Sequence, residues 1–325
     1  MYSQKDIETM VRKAIFAIEF KKEPPTLYEP LEYMMAIGGK RLRPRLCLTT
    51  YSLFKDNIDN NIIMPSLALE LFHSFTLMHD DIMDHADLRR GKPAIHAKWG
   101  ENSAILCGDA LSIMSLKFLE GYKGPEFRRL VEMFSDMAVL VMEGQQYDMD
   151  FEDIQVITME DYLKMIGLKT AALIACSAKM GAVIAGAPEH VCDALYDFGW
   201  ELGIAFQITD DYLDTFGNEK IFGKKIGGDI LNNKKTWLLV ESFRRADIDR
   251  RKTLEAILKT DSSQPAEKVE TVRRIYIDLG VREAAEAEIL AWHRKAREAL
   301  ARAGFDPERT VHLETFAQQL IHREK

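Results

Sequence analysis

The chain has 325 residues and a formal net charge of −8, and 47% of its residues are hydrophobic. That hydrophobic content is enough for a sizeable core, and 10 prolines and 19 glycines are too few for a low-complexity or linker-rich protein. The acidic balance is mainly what ordinary solubility requires, and it argues mildly against nucleic acid as the main partner, because nucleic-acid phosphates attract basic surfaces. No stretch approaches 18 uncharged apolar residues, so we expect no membrane span.

The four cysteines match no zinc-binding spacing; they are Cys47, Cys107, Cys176 and Cys192. Widely spaced cysteines without a metal-binding pattern are typical of a reduced protein with buried thiols. The N-terminal segment is charged from Lys5 onward and lacks the apolar core of a signal peptide. We therefore expect a cytoplasmic protein.

Apolar residues recur at spacings of three and four along most of the chain, which is the period of an amphipathic helix. The first such segment covers residues 6–20, and the others cover residues 66–83, 103–120, 127–147, 159–185, 191–216, 235–246, 266–280 and 282–303. Alternating, strand-like segments are scarce. Residues 171–185 are apolar on more than one helical face, which predicts a buried helix.

Short glycine and proline turns separate these helical segments, and residues 261–265 form a polar loop. None of the gaps has the length or composition of a domain linker. We therefore expect one all-α domain over residues 1–325, with a central bundle wrapped by other helices.

Two Asp-Asp-x-x-Asp motifs follow apolar helical runs. They consist of Asp80, Asp81 and Asp84, and of Asp210, Asp211 and Asp214. Adjacent carboxylates repel each other, so two such clusters require a compensating charge. This pattern suggests that divalent cations are held between them.

The spacing of these motifs suits Mg²⁺. Residues four apart share a helix face, so each motif offers two carboxylates on one side. The middle residues, Asp81 and Asp211, lie about 100° around the helix, where they can bind water or a neighbouring group. Mg²⁺ prefers oxygen ligands and usually takes one or two carboxylates together with phosphate oxygens.

Cations follow each acidic motif and also precede the first one. Gly38 and Gly39 lead into a run of four cations, Lys40, Arg41, Arg43 and Arg45. The other pairs are Arg89 with Arg90, Lys224 with Lys225, and Lys234 with Lys235. Arginine grips phosphate through a two-pronged guanidinium, so acidic motifs accompanied by cations predict a site for diphosphates bridged by metal ions.

These motifs resemble those of the trans-polyprenyl diphosphate synthases, the polyprenyl synthetase family. The resemblance covers nearly the whole chain, at residues 38–44, 73, 79–81, 89–91, 144–148, 169–170, 206–211, 223–225, 233–236 and 323. It implies an isoprenoid synthase helical bundle with a central active-site cavity, normally a homodimer. It also implies that an allylic diphosphate loses pyrophosphate and is attacked by the double bond of isopentenyl diphosphate, which gives an all-trans product five carbons longer.

The resemblance also implies residue roles. Asp80, Asp84 and Asp210 correspond to ligands of three Mg²⁺ ions, with Asp81, Asp211 and Asp214 close by. Lys40, Arg43, His73 and Arg90 resemble the isopentenyl diphosphate site. Arg89, Lys169, Thr170, Gln207, Lys225 and Lys234 resemble the allylic diphosphate site. Lys224 neighbours Lys225, and the sequence leaves open which of the two reaches the phosphate. By its sequence context alone, a lone histidine such as His73 in an apolar helix is more often a core residue with its hydrogen bonds satisfied.

In this family, bulk below the first acidic motif limits product length. Phe72 and Phe75 are neighbours on one helix face before Asp80, and Thr76 follows them. The first motif also lacks a two-residue insertion, which resembles archaeal-type geranylgeranyl synthases. We therefore expect a short C15 or C20 product, with C20 favoured, while plain core packing stays open for both rings.

Three other functions are less consistent with the motifs. A longer-chain synthase, making C30 or more, requires the cavity floor to lie on other helices. A class I terpene cyclase needs neither the isopentenyl site nor a second Asp-Asp-x-x-Asp motif. A non-catalytic subunit of a heteromeric synthase is expected to have lost part of a motif, and every motif here is intact.

Overall fold

The computed structural model describes residues 2–218, 226–259 and 265–321. Over these residues the chain is helical except for one antiparallel two-stranded hairpin. The predicted all-α class is therefore confirmed.

The helices before the first acidic motif are α1 (Gln4–Phe16), α2 (Pro25–Ala36), α3 (Leu42–Tyr51) and α4 (Asn60–Met83). The hairpin consists of β1 (Leu88–Arg89) and β2 (Lys92–Pro93), and it is followed by α5 (Ile95–Trp99) and α6 (Glu101–Lys117). The next helices are α7 (Gly124–Glu152), α8 (Met159–Ile166), a π-helical turn (Gly167–Ala171), α9 (Ala172–Ala185) and α10 (Glu189–Phe216). The last are α11 (Gly228–Leu231), α12 (Trp237–Arg245), α13 (Ile248–Leu258), α14 (Pro265–Asp278), α15 (Val281–Arg302) and α16 (Pro307–Ile321).

The chain divides into two compact units. The first unit contains Met1–Asp136, Cys176–Tyr196 and Arg302–Phe316, and the second contains Met137–Ala175, Asp197–Ala301 and Ala317–Lys325. The first acidic motif belongs to the first unit and the second acidic motif to the second. The expectation of a single domain stays a prediction.

Side-chain caps set the starts of several helices. Ser3 and Asp6 form a reciprocal capping box at α1, and Thr158 and Asp161 form another at α8. Such boxes satisfy backbone N–H groups that have no partner inside the helix. Asp59 caps α4 in the same way by accepting from the Asn61 N–H.

Each unit has an apolar interior that holds the helices carrying the motifs. In the first unit, α4 packs along α3 and α6, and fully buried side chains include Leu48, Leu67 and Leu111. In the second unit, Tyr162 of α8, Leu238 of α12 and other buried residues form one hydrophobic cluster with α10. The ends of α4 and α10 are therefore held by extensive packing, and both motifs lie at those ends.

The predicted burial of residues 171–185 is confirmed, since most of these side chains are fully inaccessible. The four cysteines are likewise buried and unpaired. Two stretches, Asn60–Met83 and Met159–Ala185, have the length and apolar composition of a membrane span, and 67% of the most apolar window of each is buried in the protein. Core helices of soluble proteins meet the same criterion, so this is weak evidence for a span.

The structure also contains elements that the helical period did not predict, namely α2, α3, α5, α11, α13, α16 and the hairpin. Pro30 lies inside α2, and Arg41 before α3 has a left-handed backbone with φ 48°. A proline within a helical pattern predicts a break in the helix, and a left-handed residue interrupts helical geometry. Most of the predicted polar loop at residues 261–265 falls outside the described residues.

Gly199 of α10 gives a test of helix packing in the second unit. A Cβ at this position would lie 2.6 Å from the Cα of Ala175 and 2.9 Å from the carbonyl oxygen of Ile174. We expect Gly199→Ala to lower the free energy of unfolding by about 1–3 kcal/mol, because the added methyl group overpacks the contact. Thermal and urea unfolding measure this change. Gly121→Ala is the control, since nothing lies within 4 Å of a Cβ there. Equal stability of the two variants would contradict the close approach.

Candidate active site

The first acidic motif lies at the C-terminal end of α4. Asp80 is in the last turn, and Asp84 follows the helix with its N–H bonded to the carbonyl oxygen of Asp80 at 2.8 Å. The Asp80 side chain is 20% exposed, and Asp84 is exposed. These two carboxylates are therefore accessible to a ligand, in keeping with their predicted metal-binding role.

Asp81, between them, has a different environment. Its side chain is buried, and Arg89 of β1 donates to Oδ1 through Nε at 2.8 Å and also through Nη2. The Nη2 atom of Arg89 also lies 3.5 Å from Asp80 Oδ2. Burial raises the pKa of Asp81, and the Arg89 guanidinium opposes that rise. Arg89 thus lies against the acidic motif.

The hairpin that carries Arg89 ends in a tight turn formed by Arg90 and Gly91. Leu88 pairs with Pro93 and Arg89 with Lys92, so the loop has two residues, and both have positive φ. Two-residue hairpin loops of this kind match the natural twist of the strands, although positive φ is unusual for arginine.

The turn meets the loop before α3. The Arg90 guanidinium donates to the carbonyl oxygen of Gly38. Gly39 has φ 122°, and a Cβ at Gly39 would overlap the Arg90 guanidinium. Gly38 also has a positive φ, 96°. Both positions therefore favour glycine for their backbone conformation, and Gly39 also needs it to make room for the Arg90 guanidinium.

A buried ion pair holds the cationic segment that follows. Arg41 lies 2.6 Å from Glu70 of α4, and it also donates to the carbonyl oxygen of Met35. Glu70 is almost completely buried. Removal of one partner of such a pair leaves an uncompensated buried charge, so we infer that the pair fixes the start of α3.

His73 of α4 lies among the arginines of the first unit. Burial holds the pKa of His73 well below its usual range, and the positive charges of Arg43, Arg90, Arg89 and Arg41 lower it further. His73 is therefore neutral near pH 7 and can donate one hydrogen bond to an anion. The structure brings together His73, Arg43 and Arg90 of the predicted isopentenyl diphosphate site; Lys40 precedes them with an exposed side chain.

The aromatic residues predicted to limit product length pack edge to face, before Asp80 on α4. The rings of Phe72 and Phe75 are 5.4 Å apart, Phe72 also contacts Phe134, and Phe75 contacts His79 at 4.8 Å. Phe72 is fully buried and Phe75 is 8% exposed. The Thr76 hydroxyl donates to the carbonyl oxygen of His73. Phe75 therefore lies nearer to the motif than Phe72 does.

In the second unit, a π-helical turn carries Lys169 and Thr170. Single π-turns within α-helices are frequent at functional sites. Lys169 Nζ lies 2.6 Å from Asp148 Oδ2 of α7, and the Thr170 hydroxyl donates to Gln207 Oε1 of α10 at 2.9 Å. A Cβ at Gly144 would overlap the backbone nitrogen of Lys169, so this glycine allows α7 to approach the turn.

The second acidic motif also divides into accessible and buried members. Asp210 is partly exposed, while Asp211 and Asp214 are buried. Asp211 accepts from the Tyr162 hydroxyl at 2.6 Å, from the Trp237 N–H at 2.8 Å and from Gln207 Nε2 at 3.0 Å. Burial raises the pKa of Asp211 to about 7, and these hydrogen bonds oppose the rise.

Asp214 accepts from the N–H of Asp229 at 3.0 Å, at the start of the short helix α11. The last carboxylate of the motif therefore anchors the next segment of chain. Lys234, a few residues on, lies 2.9 Å from Glu152 and 3.9 Å from Asp148. Asp148 thus contacts both Lys169 and Lys234, which brings together two residues predicted to bind the allylic diphosphate. Lys224 and Lys225 lie outside the described residues, as does Arg323.

Four residues in these networks had no assigned role in the sequence prediction, namely Arg41, Glu70, Asp148 and Tyr162. Glu70 carried the clearest signal, because an acidic residue inside an apolar helical run needs a buried partner. Asp148 lay within a matched motif. Tyr162 had no local signal, because its partner Asp211 is 49 residues away in the chain.

The acidic residues fit a magnesium–diphosphate site better than a closed metal cage. Within residues 2–218, 226–259 and 265–321, no three histidine, cysteine or acidic side chains converge in metal-binding geometry. Mg²⁺ commonly takes only one or two carboxylates and completes its coordination with phosphate oxygens and water. The accessible carboxylates Asp80, Asp84 and Asp210 are of this kind.

Comparisons with known proteins agree with these features. A model of the polyprenyl synthetase family matches residues 24–276. The short chain isoprenyl diphosphate synthase of Methanocaldococcus jannaschii is 40% identical over 247 residues, which are 76% of this chain and 75% of that protein. The geranylfarnesyl diphosphate synthase of Aeropyrum pernix is 33% identical over 300 residues, which are 90% of this chain and 93% of that protein.

A crystal structure of a geranylgeranyl pyrophosphate synthase is 39% identical, has a TM-score of 0.94 and covers 100% of both chains. The predicted isoprenoid synthase fold is thereby confirmed. The predicted enzyme class, a trans-prenyltransferase of the short-chain type, is confirmed as well. This chain belongs to the polyprenyl synthetase family.

Proposed function

We propose that this protein is a Mg²⁺-dependent prenyltransferase that condenses isopentenyl diphosphate with an allylic diphosphate. The product is an all-trans C15 to C20 prenyl diphosphate, and pyrophosphate is released. The observation that carries the proposal is the group of arginines around His73. His73 belongs to α4, the helix that ends in the accessible carboxylates of the first motif. This arrangement supports a diphosphate site and a metal site in the same unit of the fold.

The reaction assigns a separate task to each group of residues. The carbon–oxygen bond of the allylic diphosphate breaks, and the electron pair leaves with pyrophosphate. Asp80 and Asp84 of the first unit, and Asp210 of the second, would hold Mg²⁺, which would supply positive charge to offset the negative charge of that leaving group. Lys169 and Lys234 bind the remaining oxygens of the pyrophosphate leaving group. Both ammonium groups lie close to Asp148 Oδ2 in the structure, at 2.6 Å and 3.9 Å.

Isopentenyl diphosphate is bound by Lys40, Arg43, His73 and Arg90. Its double bond attacks the allylic cation, a new carbon–carbon bond forms, and a proton is lost to pyrophosphate. The Thr170 hydroxyl and the Gln207 amide, hydrogen-bonded to each other, are the polar groups assigned to the allylic end. Exclusion of water matters because water would quench the cation.

Product length is the finer part of the proposal. We assign C20 as the favoured product, because Phe75 lies five residues, about one and a half helical turns, before Asp80, and its ring would stop a growing chain. Relatives named geranylgeranyl diphosphate synthase support a C20 product, whereas a relative named geranylfarnesyl diphosphate synthase has a name that denotes a C25 product, five carbons longer.

We also propose a homodimer in the cytoplasm. In the first unit, α6 packs on α2, α4 and α5, yet Leu106 and Ile113 of the same helix are 59% and 62% exposed. These residues are seven apart and share one face. Large apolar side chains exposed together are typical of protein interfaces, and a second copy of the chain is the partner that the family resemblance implies.

The metal assignment predicts a large loss of activity in Asp80→Asn and in Asp210→Asn. We expect the rate of pyrophosphate release to fall by about 100-fold or more, because one ligand to a charge-neutralising ion is removed. EDTA should abolish turnover and added Mg²⁺ restore it. The control is Asp249→Asn, an exposed aspartate of α13. Near-normal rates in both motif variants, or turnover without divalent metal, would contradict the assignment.

The chain-length assignment predicts that Phe75→Ala lengthens the product, because the shortened side chain opens space below Asp80. Chromatography of products made from labelled isopentenyl diphosphate, with C5, C10 and C15 starters offered separately, measures the change. Phe75→Leu, which retains much of the bulk, should shift the product less. An unchanged product in Phe75→Ala would place the floor elsewhere.

The dimer assignment predicts that the double variant Leu106→Glu, Ile113→Glu is monomeric, because two buried carboxylates would oppose association. Light scattering after size-exclusion chromatography measures the mass. Ile248→Glu on α13 is the matched control, since Ile248 is 74% exposed on another helix. A wild-type chain that already runs as a monomer would rule out the proposed assembly.

A further inference from the structure

The middle carboxylate of each acidic motif is buried; in the second motif the last carboxylate, Asp214, is buried as well. Asp81 is 2% exposed and Asp211 is 4% exposed, while Asp80, Asp84 and Asp210 are all more accessible. A buried carboxylate must have its oxygens occupied by donors, and here the protein itself supplies those donors. In both motifs, therefore, the middle carboxylate is bonded within the protein and other carboxylates are accessible, a difference that the spacing of the aspartates alone does not show.

In the first motif, the partner of Asp81 is Arg89. The guanidinium donates two hydrogen bonds to Asp81 Oδ1, and one of its nitrogens lies 3.5 Å from Asp80 Oδ2. Charge-assisted contacts of this kind orient the planar guanidinium strongly. Asp81 thus holds β1, and with it the cation proposed to bind the allylic diphosphate, against the end of α4.

In the second motif, Asp211 joins three separate segments. Its Oδ2 accepts from the Tyr162 hydroxyl of α8 and from the Trp237 N–H at the start of α12. Its Oδ1 accepts from Gln207, which itself accepts from Thr170. Asp211 therefore sets which end of the Gln207 amide faces Thr170.

The contact with the Trp237 N–H has a second consequence. Trp237 begins α12 only three residues after Lys234, so its N–H fixes where the preceding cationic segment ends. The hydrogen bond from the Trp237 N–H to Asp211 thereby connects the second acidic motif to the cationic segment that follows it. In the first motif, the contact between Asp81 and Arg89 makes the corresponding connection.

We propose that Asp81 and Asp211 are positioning residues that place the trailing cations and the Thr170–Gln207 pair, and that neither of them binds metal. This inference rests on the proposed prenyltransferase reaction and assigns different roles to the members of each motif. It separates Asp81 and Asp211 from Asp80, Asp84 and Asp210, which remain the metal ligands.

The first experiment compares the Mg²⁺ concentration at half-maximal rate in four variants of the full-length protein. We expect Asp80→Asn and Asp210→Asn to raise this concentration, because each loses a ligand oxygen of the ion. Asp81→Asn and Asp211→Asn should leave it near the wild-type value while changing other constants. For Asp81→Asn, the KM for the allylic diphosphate should rise by about 10-fold to 100-fold, the effect expected from the loss of a charge-assisted contact that orients Arg89.

For Asp211→Asn, kcat should fall while the KM for isopentenyl diphosphate stays near the wild-type value, because the Gln207 amide is turned. Tyr162→Phe removes one donor to Asp211 without a change of charge, and it should lower kcat by about threefold to 10-fold. This milder variant keeps the test decisive if Asp211→Asn fails to fold.

The second experiment is a double-mutant cycle with Asp81→Asn and Arg89→Gln. If Asp81 acts only through Arg89, the double variant should have the same KM for the allylic diphosphate as Arg89→Gln alone. Additive effects on that KM would show that Asp81 acts independently of Arg89, which would overturn the inference for the first motif.

A rise in the Mg²⁺ requirement of Asp81→Asn or Asp211→Asn equal to that of the Asp80 and Asp210 variants would also overturn the inference. Unchanged kinetics in both variants would do so too. Failure of the proposed function is distinguishable, because the wild-type protein measured alongside would then release no pyrophosphate from the two substrates.

Discussion

Repulsion between neighbouring carboxylates is the constraint that the site has to satisfy in each unit. α4 and α10 each end in three aspartates within five residues, and such groups ionise together only when donors or cations stabilise them. The fold places a guanidinium against Asp81, and a hydroxyl, an amide and a backbone N–H against Asp211. These contacts offset part of the cost of burying the middle carboxylates, while Asp80, Asp84 and Asp210 remain accessible to cations.

Close approach of backbone segments is the second requirement, and glycine meets it at the important positions. Gly39 leaves room for the Arg90 guanidinium, and Gly144 leaves room for the π-helical turn at Lys169. Arg41 and Arg90 both have positive φ, which costs free energy unless neighbouring contacts hold them. The Glu70–Arg41 pair and the contact of Arg90 with Gly38 supply such contacts.

The sequence predicted the long periodic helices well, because a stripe of apolar residues is a local property. The predicted segments 66–83 and 191–216 end at the same residues as α4 and α10, and these helices begin six and two residues earlier than predicted. Helices α2 and α3 were not predicted, because Pro30 and the left-handed Arg41 interrupt the period and only packing against other helices favours them. The β-hairpin was not predicted, because strands of two residues each are too short to show an alternating pattern.

The sequence by itself determined the acidic motifs and the cations that accompany them, because each is a short run of residue types with a set spacing. These motifs in turn indicated the family. Only the tertiary structure decided which carboxylates are accessible. Asp80 and Asp81 are neighbours in sequence, yet one is partly exposed and the other is enclosed by a guanidinium eight residues on. Asp211 depends on donors 49 residues before it and 26 residues after it. Burial and hydrogen-bond partners of this kind come from segments far apart in the chain, and motif spacing carries no information about them.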